Sequence, residues 1–347
     1  MVQRSKLERA GLGFYPTPFE RMPRLEREIG GPRLFVKRDD LTGLALGGNK
    51  TRQLDYLLVE AIKKRADVII TTTGLQSNWA RQTTAAAAKL GVKTVLVLRT
   101  AQFDETPKEF DGNLLLDHIM GADISFIRMK IDEDPRDILE SVAERLTAKG
   151  HRPHVLHLSH MESPLAAASY AEAMKELMGQ TKSTGDLPDW IVVASGCGTT
   201  HAGLLAGAKM LNLGTKIIGI SVGAFTKKKI DAVIESAFDG ASELLGSSHR
   251  ANPRDIITLE DYVGEGYGKP SRESLEALRL TGRTEGLLLD PVYTSKAMAG
   301  LIDLAKKGYF KKDDSVCFLH TGGIPALFPY RDYFPPPNGD HILTESE

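Results

Sequence analysis

The spacing of apolar and polar residues alternates between two patterns along most of the chain. Short runs rich in β-branched residues predict buried strands, and longer runs with apolar residues every three or four positions predict helices. The first clear unit is a strand over Asp67–Thr73, a helix over Asn78–Leu90 that ends at Gly91, and a strand over Val92–Arg99. This β-α-β order favours a parallel sheet with a right-handed crossover.

The same alternation returns in the second half of the chain. It predicts strands over Trp190–Ala194, Lys216–Val222 and Ser315–Leu319, and helices over Asn49–Lys64, Ser163–Met178, His201–Leu211 and Thr294–Lys307. Ser163 is predicted to cap its helix, with Pro164 at the first helical position. Thr181–Pro188 is polar and predicts a loop. We therefore expect an α/β protein with two lobes packed around one cleft.

Composition narrows the class of protein. The chain has 347 residues, enough for two domains, and Lys+Arg (44) nearly balances Asp+Glu (45), so no charge excess indicates nucleic acid or an anionic membrane. The first residues lack the pattern of a secretory signal, and no apolar run reaches membrane-spanning length, so we expect a cytoplasmic protein. Two widely spaced cysteines, Cys197 and Cys317, predict neither a disulfide framework nor a zinc site.

Gly47-Gly48-Asn49-Lys50, at the start of a predicted helix, is the first motif with chemical potential. A glycine pair allows a tight turn and close approach to a ligand. The positive end of the helix dipole disfavours an ammonium, so Lys50 would be a better nucleophile there. A solvated lysine after an ordinary glycine turn explains the same residues, and these residues alone favour that simpler interpretation.

Ser195-Gly196-Cys197-Gly198-Thr199-Thr200 joins a predicted strand to a predicted helix. Backbone N–H groups at a helix N-terminus, with hydroxyls beside them, can hold a phosphate. The spacing of a P-loop and of a dinucleotide fingerprint is missing, which disfavours both nucleotide sites. The alternative is a glycine-rich turn without a ligand; the phosphate interpretation is favoured.

Three weaker motifs also lie beside predicted strands or helices. Gly74–Asn78 could provide helix caps or project into the cleft, and Asp290–Lys296 and His320–Gly323 are each weak alone. Four histidines between His151 and His160 fall on a predicted strand, where alternation would separate them onto two faces, so no metal site is predicted. Asp39 and Asp40 are expected to fix the Lys50 loop through Lys37 or Arg38.

Together these motifs resemble the fold-type II pyridoxal-phosphate (PLP) enzymes, in the branch of D-cysteine desulfhydrase, 1-aminocyclopropane-1-carboxylate (ACC) deaminase and L-cysteate sulfo-lyase. The similarity runs from about Thr17 to Phe328 and is most specific in KRDDLTGLALGGNKTRQL, Gln76–Ala88, THAGLLAG and LLLDPVYTSKAMAGL. It implies a three-layer α/β/α fold of the tryptophan synthase β type, with mostly parallel sheets and the active site between the lobes. It also implies a large domain of residues 1–52 plus 165–347, a small domain of residues 53–164, and a homodimer.

The resemblance assigns roles residue by residue. Lys50 would hold PLP and move the proton, Asn78 would bond the ring hydroxyl, and Ser77 would sit beside the substrate carboxylate or assist proton transfer. The tyrosines Tyr267 and Tyr293 would flank the substrate, with Gln76 and Trp79 nearby. The phosphate would be held by Cys197, Gly198, Thr199 and Thr200, and the pyridine nitrogen would meet Thr294 and Thr321.

The resemblance leaves the substrate open between several amino acids. ACC deaminase-like proteins look as if they have a Glu where this chain has Thr294, and a carboxylate would make the ring a stronger electron sink. Thr294 therefore favours elimination from D-cysteine, giving pyruvate, ammonia and hydrogen sulfide. L-Cysteate with sulfite release, ACC or another deamination, and a catalytically silent PLP-binding protein are the alternatives. Trp79 replaces a more usual His and could alter selectivity or simply pack in the core.

Overall fold

The computed structural model describes residues 7–100, 107, 109–130, 133–157, 163–182 and 184–335. The strands are β1 (Phe19–Arg21), β2 (Arg33–Lys37), β3 (Val68–Gly74), β4 (Lys93–Arg99), β5 (Asp123–Ile127), β6 (Pro153–Leu156), β7 (Trp190–Ser195), β8 (Lys216–Ser221), β9 (Ile257–Leu259) and β10 (Ser315–Leu319). The helices are α1 (Pro23–Ile29), α2 (Asn49–Lys63), α3 (Asn78–Lys89), α4 (Gly112–Ile119), α5 (Arg136–Ala148), α6 (Pro164–Thr181), α7 (Thr199–Met210), α8 (Lys227–Leu244), α9 (Arg272–Glu285) and α10 (Thr294–Lys306).

These strands form two sheets. The larger has the order β1-β2-β10-β7-β8-β9, and all its pairs are parallel except β1 with β2. The smaller is fully parallel, in the order β5-β4-β3-β6. The expected α/β fold with mostly parallel sheets is confirmed.

Helices pack on both faces of each sheet, and successive side chains of a strand point to opposite faces. In β7, Ile191 and Val193 pack with α6, α7 and α8, whereas Val192 packs with α1, α9 and α10. In the smaller sheet, Val68 and Ile70 pack on α5, and Ile69 packs towards α2 and α3. The expected three-layer arrangement is therefore present in both lobes. The domain boundaries near residues 52 and 164 stay a prediction.

Helix α6 begins as predicted, with Ser163 at the N-cap position and Pro164 at the first helical position, but the Ser163 side chain makes no capping hydrogen bond. Helix α6 also continues through Thr181, which was expected in a loop. The histidine segment holds only a four-residue strand, with His157 after its end and His160 outside the described residues.

The acidic pair is only partly as expected. Asp40 bonds Arg38, as predicted. Asp39, in contrast, pairs with Arg52 of α2 at 2.8 Å and accepts the Tyr170 hydroxyl at 2.7 Å. Arg52 holds the pKa of the buried Asp39 below its ordinary value against the effect of burial. The buried Asp39 carboxylate thus anchors α2 at Arg52, two residues after Lys50. The cation expected to pair with it was Lys37 or Arg38.

Nothing in the described part of the chain indicates a membrane span or a metal centre. No described helix is both long and apolar enough to cross a bilayer. No group of three or more histidine, cysteine or acidic side chains is placed to hold a metal ion among the described residues.

Candidate active site

One cavity lies where the carboxyl ends of strands from both sheets meet. Thr73 from β3, His157 after β6, Ser195 from β7 and Thr321 after β10 all line it. Ligands of parallel α/β sheets bind at such strand ends, where the chain leaves the sheet and polar groups remain available. The described lining residues include no aspartate or glutamate, so the cavity suits an anionic ligand.

Lys50 reaches this cavity from the first turn of α2. Gly47 has φ +65°, and a Cβ there would lie 1.9 Å from the Asp40 carbonyl oxygen, so the preceding turn requires glycine. Burial lowers the pKa of Lys50, and the nearby Cys197 opposes that effect. The amine is therefore shifted towards its neutral, nucleophilic form.

The loop between β7 and α7 forms a cradle along the same cavity. Gly198 is left-handed at φ +97°, and a Cβ there would lie 2.9 Å from Ile234 Cγ1 and 3.0 Å from the Ile230 carbonyl oxygen. Glycine thus lets the chain turn directly into α7, which begins at Thr199 rather than at the predicted His201. The helix N-terminus presents free N–H groups to the cavity.

Thr200 connects this cradle to the helix of Lys50. Its hydroxyl oxygen accepts Asn49 Nδ2 at 3.1 Å and Gln53 Nε2 at 3.3 Å. Because both lone pairs of the Thr200 oxygen already accept hydrogen bonds, its O–H is left to donate to an acceptor in the cavity. Ser195 Oγ is buried, lines the cavity and has no hydrogen-bond partner among the described residues. Two hydroxyls are thus available to an oxyanion.

Asn78 faces the cavity with a fixed amide orientation. Its Oδ1 accepts Arg81 Nη1 at 2.9 Å and Asn113 Nδ2 at 3.1 Å. Arg81 is fully buried and also donates to the Gly47 carbonyl at 2.7 Å. Since the oxygen is engaged by two donors, Asn78 presents its NH₂ group to the cavity.

Ser77 and Trp79 flank Asn78. Ser77 is the N-cap of α3, accepting the N–H groups of Trp79 and Ala80 and the Thr73 hydroxyl, and it also lines the cavity. Ser77 therefore both caps α3 and faces the cavity. Trp79 lines the cavity too, but its indole N–H donates to Thr71 at 3.1 Å and its ring packs in the core of the smaller lobe. It adds bulk to the wall and keeps its donor inside the lobe.

Two tyrosines, Tyr267 and Tyr293, also line the cavity. The hydroxyls of Tyr267 and Tyr293 are hydrogen-bonded to each other, with ring centroids 5.8 Å apart. Burial raises the pKa of both phenols above the ordinary value of 10.0. Asp290, fully buried, accepts the Tyr293 backbone N–H at 2.9 Å and so fixes the start of α10.

Most of the predicted site residues meet at this cavity, and two do not. The lining includes Lys50, Ser77, Asn78, Trp79, Cys197, Gly198, Thr199, Thr200, Tyr267, Tyr293 and Thr321. Gln76 is absent from the lining and instead bridges to α4, through the Asp111 carbonyl and the Asn113 N–H. Thr294 is also absent: it is fully buried and its hydroxyl bonds Asp290 at 2.7 Å. The role of Thr294 as the partner of a ring nitrogen stays a prediction.

The sequence motifs did not identify several lining residues. His157 and Phe225 are the most distinctive of them. His157 directly follows β6, and Phe225 lies four residues after the end of β8, so the rule that ligands meet strand ends could have found them once those strands were known.

The residues fit PLP. The cradle offers N–H and O–H donors to a phosphate, Lys50 offers a neutral amine to an aldehyde, and Asn78 offers an N–H donor to a ring hydroxyl. The α/β fold and this constellation define a PLP-dependent enzyme.

Comparison with known proteins agrees. A family model described as "Pyridoxal-phosphate dependent enzyme" matches residues 11–322, and the chain belongs to that family. It is 42% identical to a putative ACC deaminase of Pyrococcus furiosus over 328 residues, 94% of this chain and 95% of the relative. It is 37% identical to an ACC deaminase of Bradyrhizobium diazoefficiens over 328 residues, 94% and 97% of the two chains. A crystal structure of an ACC deaminase homologue superposes with a TM-score of 0.84 at 39% identity, covering 94% of this chain and 95% of that one.

Proposed function

We propose that this PLP-dependent lyase deaminates a small amino acid to a 2-oxo acid and ammonia, with ACC as the first substrate to test. The observation that supports the proposal is one cavity holding the Lys50 amine, the Asn78 NH₂ group and the cradle at 196–200. The names of the relatives favour ACC over the D-cysteine expected from Thr294. The buried position of Thr294 also weakens the argument that had favoured D-cysteine.

Bound PLP supplies an electron sink for the carbon next to the substrate's amino group. Lys50 would hold the cofactor, and Thr199 and Thr200 would hold its phosphate. Asn78 Nδ2 would orient the ring through its hydroxyl. The substrate would lie between Ser77 on one wall and the tyrosine pair on the other.

The pKa directions divide the proton-transfer roles. A lowered pKa keeps the Lys50 amine neutral, so it can accept a proton when the cofactor no longer holds it. Burial raises the pKa of Tyr267 and Tyr293, so both stay protonated near pH 7 and neither can be the base. Lys50 is therefore the base in this proposal, and the tyrosine pair would support proton transfer as hydrogen-bond donors.

A second candidate is elimination from D-cysteine or another amino acid with a leaving group on Cβ. It is favoured by the absence of a carboxylate among the described lining residues. Without one, a ring nitrogen has no acid to keep it protonated, and a weaker sink suffices when a good leaving group departs. L-Cysteate, with sulfite as the leaving group, belongs to this candidate as well.

A substrate panel tests both. Purified enzyme is incubated with ACC, D-cysteine, L-cysteate and D-serine, and 2-oxo acid and ammonia are measured. Turnover of ACC supports the first proposal; turnover of only the substrates with a β leaving group supports the second. Lys50→Ala should abolish either activity and the cofactor's absorbance band. A wild-type protein that binds PLP but deaminates none of these compounds contradicts both and favours the catalytically silent alternative.

A further inference from the structure

Lys296, in α10, is a fully buried lysine outside the cavity lining. Its Nζ donates to the carbonyl oxygens of Val263 and Gly266, both at 2.7 Å, and lies 3.5 Å from that of Val222. No salt bridge is formed by Lys296 within the described ranges. The ammonium donates its hydrogen bonds to backbone carbonyls and so connects three chain segments at one point.

Each of those segments contributes to the cavity wall. The residues after Val263 and Gly266 lead to Tyr267, and those after Val222 lead to Phe225. Helix α10 itself begins beside Tyr293. Lys296 thus holds together the backbone that presents the tyrosine pair and the neighbouring wall.

The segments that Lys296 connects are also in close contact with one another. Gly223 has φ +82°, and a Cβ there would lie 2.6 Å from Val263 Cγ1 and 3.1 Å from the Tyr267 backbone nitrogen. Tyr330 donates to the Gly268 carbonyl at 2.6 Å. The backbone carbonyls of the loop at 263–268 are therefore held by both Lys296 and Tyr330.

We propose that Lys296 is a positioning residue, which sets the placement of Tyr267 against Tyr293 by ordering the 263–268 loop through its carbonyls. The inference rests on the proposed function only for the role of the tyrosines in proton transfer. The ordering of the loop is a property of the protein itself. Burial lowers the pKa of Lys296 to about 8, with Asp290 opposing the effect, so the ammonium predominates at neutral pH.

The test compares Lys296→Met with Lys306→Met, an exposed lysine of the same helix, in the PLP-loaded enzyme. Charge-assisted hydrogen bonds to two carbonyls are lost in K296M, so amide exchange at 263–268 should accelerate by about tenfold or more. The kcat should fall by about tenfold while KM changes little, because the tyrosines act in the chemical step. K306M should match wild type in both measurements.

Lys296→Arg and Lys296→Gln complete the series. Arginine keeps a cation and its donors, so K296R should restore slower exchange relative to K296M, and K296Q should fall between them. K296Q also gives the comparison if K296M does not fold. Unchanged exchange at 263–268 in both K296M and K296Q overturns the inference. The exchange measurement needs no substrate. It therefore tests the inference even if the proposed function is wrong.

Discussion

Asp117, in α4, offers a test of how the smaller lobe tolerates a buried acid. Neither carboxyl oxygen has a hydrogen-bond partner among the described residues. Burial raises its pKa from 3.8 to about 7, with Thr84 and Arg81 offsetting part of the effect. The fold therefore binds a proton at Asp117 that the unfolded chain has released, over the range between those two values.

The sign and size of the effect follow. The pKa of Asp117 is higher in the folded protein than in the unfolded chain. Its contribution to the free energy of unfolding is therefore greatest below about pH 4 and is lost as the pH rises through 7. A pKa of about 7 in place of 3.8 corresponds to ~4 kcal/mol of lost stability above pH 7. An asparagine side chain at this position would have nearly the same shape and no charge to bury.

We therefore expect Asp117→Asn to unfold at a higher temperature than wild type at pH 8, and to differ little at pH 4.5. Thermal unfolding at the two pH values, at one scan rate, measures the difference. Asp123→Asn, at an exposed position in β5, is the control and should show no such pH dependence. If D117N is less stable than wild type at pH 8, attraction to Arg81 stabilises the ionised Asp117 carboxylate by more than its burial costs, and the reasoning is refuted.

Two further predictions concern the cofactor. Arg81→Met should weaken PLP binding, measured by fluorescence titration, by about tenfold or more, because Asn78 loses a charge-assisted bond that orients its amide. The control is Arg99→Met, at another buried arginine of that lobe, which should leave PLP affinity unchanged. Gly198→Ala should lower the PLP content of the purified protein by at least about tenfold, because a Cβ is strained and crowded there; Gly214→Ala, in open space, should retain full occupancy, and equal occupancy in both variants would contradict the argument.

The sequence predicts the type and bounds of a helix or strand where these depend on residues within that element. The segment Asn78–Leu90 was predicted as a helix and ends one residue earlier in the structure, because its alanines favour helix and Gly91 stops it. The strand Ser315–Leu319 has the predicted bounds. Its place between β2 and β7 could not be predicted, since strand order depends on contacts between residues far apart in the chain.

The site shows the same division. Lys50, Asn78 and the cradle lie in local motifs with recognisable residue types, so a resemblance could assign them. The resemblance assigned Thr294 to the pyridine nitrogen, whereas in the structure its hydroxyl bonds Asp290 inside the fold. His157 was considered only as one of a histidine cluster tested for a metal site, and it reaches the cavity through the position of β6 beside β3. Side-chain direction and sheet neighbours decide such cases, and neither can be read from one sequence.

The contacts of Thr200 with Asn49 and Gln53 have a consequence for how the cofactor enters. They join the helix of Lys50 to the loop proposed to hold the phosphate through protein atoms alone, so the spacing between the two proposed attachment points exists before any cofactor arrives. Little conformational entropy then has to be given up on binding. Loading of the empty protein should be limited by formation of the covalent bond to Lys50, with the phosphate seated first as a rapid, reversible step.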